Sequence, residues 1–150
     1  MSANRHGRCI RTGMIEKPPV VVVINTSPDT VELLRIVLEN AGFVVLSTYT
    51  HDLREAKVNL ESLVQQYQPR LIIYDIAPPY DKNWRQFLTT CTMPALSGIN
   101  FLVTTTNARH VKEVAGQGQT VYEIVGKPYD LDVLVQAVKD AIHGRSGVQL

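Results

Sequence analysis

The chain alternates short apolar runs with longer amphipathic segments. Five runs contain few polar residues, as expected of strands buried on both faces of a parallel sheet; they cover residues 20–24, 43–46, 71–74, 100–105 and 121–125. Apolar residues elsewhere recur at helical spacing, which predicts helices over residues 28–41, 51–67, 84–92, 108–115 and 131–143. Short connections between alternating strands and helices predict an α/β fold, a doubly wound five-stranded parallel sheet in a three-layer sandwich.

Three of the predicted helices begin at a side chain that can cap them. Ser27 precedes Pro28, a residue favoured at the first helical position, and Asn107 and Asp130 stand before later helices. Side-chain oxygens of Ser, Asn and Asp accept hydrogen bonds from the free amides of the first helical turn. These residues therefore predict where the first, fourth and fifth helices begin.

Composition and charge exclude several kinds of partner. The 150 residues are 45% hydrophobic and 19% charged, so one domain with a buried core is expected. The formal net charge of +1 provides no long-range attraction for nucleic acid or an anionic membrane. No apolar run reaches the roughly 18 residues of a membrane span, and residues 1–13 lack the apolar core of a secretory signal. We expect a cytoplasmic protein with no nucleic-acid or membrane partner.

The predicted domain occupies residues 19–144 and lies between two tails. Residues 145–150 are expected to form a short C-terminal tail. Residues 1–18 are expected to form a basic, solvated and disordered N-terminal tail; its cationic side chains are Arg5, Arg8, Arg11 and Lys17. The whole of the predicted fold therefore lies between these two segments.

Two charged residues follow the third and fifth predicted strands. Asp75 comes directly after the apolar run at 71–74, and Lys127 with Pro128 follows the run at 121–125. The carboxyl ends of parallel strands meet at one edge of a doubly wound sheet, where such folds bind their ligands. A carboxylate and an ammonium group are therefore expected together at that edge.

The order of these residues resembles the receiver domain of two-component response regulators, which has a flavodoxin-like fold. The resemblance rests on Asp75 with Pro79 four residues later, on Thr105 at the end of the fourth strand and on Lys127-Pro128 after the fifth, and it covers residues 19–143. It implies that Asp75 accepts a phosphoryl group from a histidine kinase or a phosphotransfer protein. It also implies that Lys127 and Thr105 bind this group, and that the Lys127-Pro128 peptide is cis.

The position of the usual acidic pair departs from this family. Receivers that bind Mg²⁺ carry two acidic residues directly after the first strand, where this chain has Asn25 and Thr26. The other metal ligands that the resemblance implies are Asp75 and the backbone carbonyl of Ala77. Because Mg²⁺ is held by carboxylates and water, we expect weak binding of this cofactor. A direct ion pair between Asp75 and Lys127 then becomes available.

Other doubly wound domains need sequence features that this chain lacks. Dinucleotide-binding domains and P-loop proteins need a glycine-rich turn after the first strand, and the turn here is Asn25-Thr26-Ser27-Pro28. Flavodoxins bind a flavin phosphate at this turn through hydroxyl groups, but the hydroxyls here are sparse and Asp75 would repel the phosphate. The nucleophile elbow of the hydrolases is also missing. We therefore expect no enzymatic activity.

Two functions remain open. The first is a stand-alone receiver in a phosphorelay, with Asp75 as the phosphoacceptor; the second is a pseudo-receiver that binds proteins without phosphorylation. Asp75, Thr105 and Lys127 favour the first, and loss of the acidic pair favours the second. In both, a downstream protein is expected to bind the fourth helix, fifth strand and fifth helix. The chain itself is expected to be a monomer or a homodimer.

Overall fold

Five parallel strands form the central layer of the computed structural model, which describes residues 17–116 and 121–143. Their order across the sheet is β2-β1-β3-β4-β5, and every neighbouring pair is parallel. The strands are β1 Val20–Asn25, β2 Val44–Tyr49, β3 Leu71–Ile76, β4 Asn100–Thr105 and β5 Glu123–Gly126. The predicted five-stranded parallel sheet is confirmed, and β3, which carries Asp75, lies at its centre.

Six α-helices cover the two faces of the sheet within the described residues. They are α1 Pro28–Asn40, α2 Thr50–Arg54, α3 Leu60–Tyr67, α4 Tyr80–Cys91, α5 Ala108–Ala115 and α6 Leu131–His143, with a 3₁₀ turn at Pro94–Leu96. Buried side chains of α1 and α6, such as Leu34 and Leu134, pack on one face. Those of α3, α4 and α5, such as Val64, Phe87 and Val111, pack on the other. This is the predicted three-layer, doubly wound arrangement.

An aromatic cluster supports the strand that carries Asp75. The Phe87 ring is fully buried. It contacts the rings of Tyr74, Trp84 and Phe101 at centroid distances of 4.9, 5.0 and 5.3 Å. Each such aromatic contact adds about 0.5–1.5 kcal/mol beyond the burial of its area. Since Tyr74 precedes Asp75 in β3, this packing holds the backbone of Asp75 in place.

The three predicted caps are present. Ser27 accepts a hydrogen bond from the amide of Thr30 at 3.2 Å, and Asn107 accepts one from the amide of His110 at 3.1 Å. Asp130 accepts one from the amide of Asp132 at 2.8 Å. Helices α1, α5 and α6 therefore begin where the sequence predicted.

The predicted second helix is wrong in one respect, because two helices replace it. Helix α2 ends at Arg54, Ala56 adopts a positive φ of 60°, and α3 begins at Leu60. Asn59 caps α3 by accepting a hydrogen bond from the amide of Ser62 at 3.0 Å. This cap competes with a continuous helix through residue 59. The break leaves α2 as a short separate element near the carboxyl edge of the sheet.

Other bounds differ by a few residues. Helix α4 begins at Tyr80, four residues before the predicted start, because Pro79 stands directly before its first turn. Strand β3 extends through Asp75 to Ile76, and β5 begins at Glu123.

No helix among the described residues is long and apolar enough to cross a membrane. Predictions for residues 1–16, 117–120 and 144–150 lie outside the described residues.

Candidate functional site

The carboxyl ends of the central strands bring four polar side chains to one edge of the sheet. Asn25 ends β1, Asp75 lies near the end of β3, Thr104 lies near the end of β4, and Lys127 follows β5 directly. Asp75 is the register partner of Thr104 on the neighbouring strand. The parallel strand order therefore places Asp75 at the same edge of the sheet as the residues that end β1 and follow β5, as predicted.

Asp75 is buried and forms a direct ion pair with Lys127. The Lys127 Nζ atom lies 2.6 Å from Asp75 Oδ1, and the two side chains are 23% and 5% exposed. The Thr104 hydroxyl donates a hydrogen bond to the same Oδ1 atom at 2.7 Å. The Lys127-Pro128 peptide is cis, as the resemblance implied. A buried carboxylate needs such partners, since removing it from water without them is costly.

The threonine whose hydroxyl contacts Asp75 is Thr104 and not its neighbour Thr105, the residue that the resemblance implied as a ligand of the phosphoryl group. Successive side chains of a strand point to opposite faces, so Thr105 points away from Asp75. Its Oγ1 atom accepts a hydrogen bond from the Asn107 amide at 3.3 Å. The sequence has threonine at 104, 105 and 106, and only the register of β3 with β4 distinguishes them.

The residues predicted to bind Mg²⁺ do not fit that ion. Asn25 is 2% exposed, and its Oδ1 atom accepts a hydrogen bond from the Ser27 amide at 3.0 Å. The Ala77 carbonyl accepts one from Asn83 Nδ2 at 2.6 Å. Thr26 is exposed and brings no charge. Asp75 is the only carboxylate among these ligands, and the described residues contain no group of three or more His, Cys, Asp or Glu suited to a metal.

Comparison with known proteins identifies the architecture. No family model matches this chain, and no curated protein matches it. A solved sensor protein from Polaromonas sp. JS666 is 20% identical with a TM-score of 0.67, covering 84% of this chain and 97% of that one. A signal receiver domain of two-component signal transduction (histidine kinase) from Clostridium thermocellum is also 20% identical with a TM-score of 0.67, covering 83% and 97%. The chain has the receiver-domain fold.

A third solved structure agrees. The chemotaxis protein CheY4 of Vibrio cholerae is 18% identical with a TM-score of 0.64, covering 83% of this chain and 98% of that one. Nearly all of each solved chain is therefore matched by this one. The expectation of a flavodoxin-like receiver fold is confirmed, and at these identities the likeness concerns the fold.

In this receiver fold, Tyr129 lies near the ion pair. The side chain is half-buried and packs against the core on the α1 and α6 face of the sheet. Burial raises the pKa of the Tyr129 hydroxyl, and the negative charge of Asp75 raises it further. The pKa of Tyr74 is also raised, chiefly by burial. Both tyrosines are therefore held in the neutral form.

We predict that this receiver fold loses stability at alkaline pH. The two tyrosines keep their protons in the folded state, but lose them at a pH of about 10 once unfolded. Their contribution is complete below the unfolded pKa and disappears as the pH rises through the higher folded pKa values. Urea unfolding should show a falling free energy of unfolding above pH about 10. The fall should be smaller in Tyr129→Phe and unchanged in Tyr67→Phe, whose ring is exposed; the reverse order would contradict the prediction.

A cavity of about 170 Å³ lies beside Asp75, which forms part of its wall. Its lining includes Thr26, Thr50, Arg54, Asp75, Ala77 and Gln86. Thr50 and Arg54 were not predicted to lie near Asp75: Arg54 fell near the start of the predicted helix at 51–67, and Thr50 directly before it. Their position follows from the short α2, which β2 delivers to the carboxyl edge.

Proposed function

We propose that this chain is a non-enzymatic pseudo-receiver, a signalling module that binds a partner protein in its unmodified state. The observation that carries the proposal is the direct contact of Lys127 Nζ with Asp75 Oδ1 at 2.6 Å, in a site where the described residues place no second carboxylate for a metal. The ammonium group takes the neutralising role that Mg²⁺ has in a phosphorylatable receiver. The site is then stable without a metal.

The chemistry of phosphoryl transfer supports this proposal. A carboxylate attacks phosphorus readily only when the charge on the transferred oxygens is neutralised, usually by a divalent metal together with a fixed cation. Here the amide of Asn25 and the carbonyl of Ala77 are already hydrogen-bonded to Ser27 and Asn83. We propose that Mg²⁺ binds weakly, because Asp75 is the only carboxylate among these ligands and Mg²⁺ is held mainly by carboxylates and water.

A second candidate function is favoured by one specific arrangement. The hydroxyl of Thr104 and the ammonium group of Lys127 both contact Oδ1 of Asp75. In a phosphorylated receiver the same two groups would bind the phosphoryl oxygens. Asp75 would then accept the group from a histidine kinase or a phosphotransfer protein, with Thr104 in the place that the sequence assigned to Thr105.

The proposed function also includes a partner protein in signalling. The solved proteins of the same fold include a sensor protein and a chemotaxis protein, which supports a role in two-component signalling. We propose that a downstream protein binds the face formed by α5, β5 and α6, the elements that correspond to the predicted fourth helix, fifth strand and fifth helix. The chain would act as a monomer or a homodimer.

Intact mass spectrometry after incubation with acetyl phosphate and MgCl₂ tests the proposed function. The native protein should gain no phosphoryl group, and Asp75→Asn should behave in the same way. A gain of one phosphoryl group by the native protein that disappears in Asp75→Asn would overturn the pseudo-receiver and establish Asp75 as a phosphoacceptor. The Thr104→Val and Thr105→Val variants would then show which hydroxyl contributes, with Thr104 expected.

A further inference from the structure

The cavity beside Asp75 has an excess of positive charge around it. Among the described residues of its lining, Arg54 is the only basic one and Asp75 the only acidic one. The charge of Asp75 is already balanced by Lys127 at 2.6 Å. Arg54 forms no ion pair with any residue in the ranges 17–116 and 121–143. The local balance is therefore cationic, although the same edge of an Mg²⁺-binding receiver is acidic.

An unpaired hydroxyl points to a ligand with oxygen acceptors. The Oγ1 atom of Thr50 is buried and has no hydrogen-bond partner among the described residues. Thr50 lines the cavity, as do the hydroxyl-bearing Thr26 and the amide-bearing Gln86. A buried polar group without a partner destabilises the fold, and a bound ion or an ordered water is one explanation for such a group in a native protein. The donors of this wall suit an anion.

The size of the cavity limits the ligand to a small ion. Pockets for drug-sized molecules have volumes of about 300–1,000 Å³, whereas this cavity has about 170 Å³. Arginine binds planar or tetrahedral oxyanions through paired N–H groups. Phosphate and carboxylate groups are small enough for this volume and have the oxygen geometry that arginine binds.

We propose that this cavity binds a small oxyanion of the phosphate or carboxylate type, held by the Arg54 guanidinium and by the hydroxyls of Thr50 and Thr26. The site lies where an Mg²⁺-binding receiver holds its cation, so the loss of the acidic pair at Asn25 and Thr26 has reversed the charge of the ligand. This proposal does not depend on whether Asp75 accepts a phosphoryl group.

An amide-resolved NMR titration of the full chain with inorganic phosphate tests the site, with acetate as the carboxylate arm and chloride at equal ionic strength as the blank. Phosphate or acetate should cause saturable shifts at the amides of Thr26, Thr50, Arg54 and Ala77. The stronger of the two anions identifies the type of ligand. Shifts spread over surface amides, or equal to those with chloride, would overturn the proposal.

Matched variants make the test specific. Arg54→Gln should weaken binding about tenfold or more, since it removes a charged donor. Arg85→Gln makes the same change at an exposed residue of α4 outside the lining and should leave binding unchanged. Thr50→Val should weaken binding several-fold. Thr48→Val is the matched control, because Thr48 Oγ1 is also buried without a partner among the described residues but Thr48 does not line the cavity. This variant should leave binding unchanged. Equal weakening within either pair would overturn the proposal, and the spectra themselves report whether each variant is folded.

Discussion

Replacement of Lys127 by methionine is expected to lower the free energy of unfolding by about 3 kcal/mol at neutral pH. The change removes the only cation that contacts Asp75 within residues 17–116 and 121–143; the Asp75 side chain is 5% exposed. A buried charge that loses its partner keeps its desolvation penalty without the compensating attraction. The expected loss lies at the lower end for buried pairs because the Lys127 side chain is itself 23% exposed. Urea unfolding at neutral pH measures the loss.

Three further variants separate the ion pair from other effects of the substitution. Lys112→Met, which removes an exposed cation from α5, should change stability by less than about 0.5 kcal/mol. Asp75→Asn should cost less than Lys127→Met, since Lys127 can turn to solvent. The double variant Asp75→Asn with Lys127→Met should be more stable than Lys127→Met alone. Additive losses in the double variant would show that the two side chains are not coupled.

Restoring the acidic pair should create a magnesium site. We expect Asn25→Asp with Thr26→Asp to raise the affinity for Mg²⁺ by about tenfold or more, because two carboxylates then join Asp75 as ligands. Without the metal, the new carboxylate at the buried position 25 should repel Asp75 and destabilise the fold. Added Mg²⁺ should therefore raise the melting temperature of the double variant much more than that of the native chain.

A control with the same change in net charge is available on the surface. Asn59→Asp with Thr89→Asp adds two carboxylates at exposed positions, and aspartate at residue 59 can still cap α3. This variant should show no saturable effect of Mg²⁺ on its melting temperature. If both double variants respond alike, the residues after β1 do not form the metal position of this fold.

Local signals account for the parts of the fold that the sequence predicted well. The apolar runs of β1 and β3 were clear because both faces of the sheet are buried at its centre. The bounds of β4 agree with the predicted ones. Helix α5 was bounded by its Asn107 cap. The break between α2 and α3 was missed because apolar residues continue at helical spacing on both sides of it. Asn59 was its one local signal.

The sequence predicted those residues of the site that lie at the ends of strands. Asp75 and Lys127 follow apolar runs, so their meeting required only a parallel sheet. The identity of the neighbouring threonine required the register of two strands, which the sequence does not contain. Two other features of the site depend on how separate segments of the chain pack: the hydrogen bond from Asn83 to the Ala77 carbonyl, and the position of Arg54 in the cavity wall beside Asp75. Hydrophobic periodicity and residue spacing do not predict such contacts.

Titration of the native protein with MgCl₂, followed by amide-resolved NMR, tests most directly whether Lys127 stands in place of a metal. The amides to follow are those of residues 25–27 and 75–77, with NaCl at equal ionic strength as the reference. We expect no saturable shift at these amides at millimolar Mg²⁺, since Asp75 is paired with Lys127. Saturable shifts confined to these residues at submillimolar Mg²⁺ would contradict it.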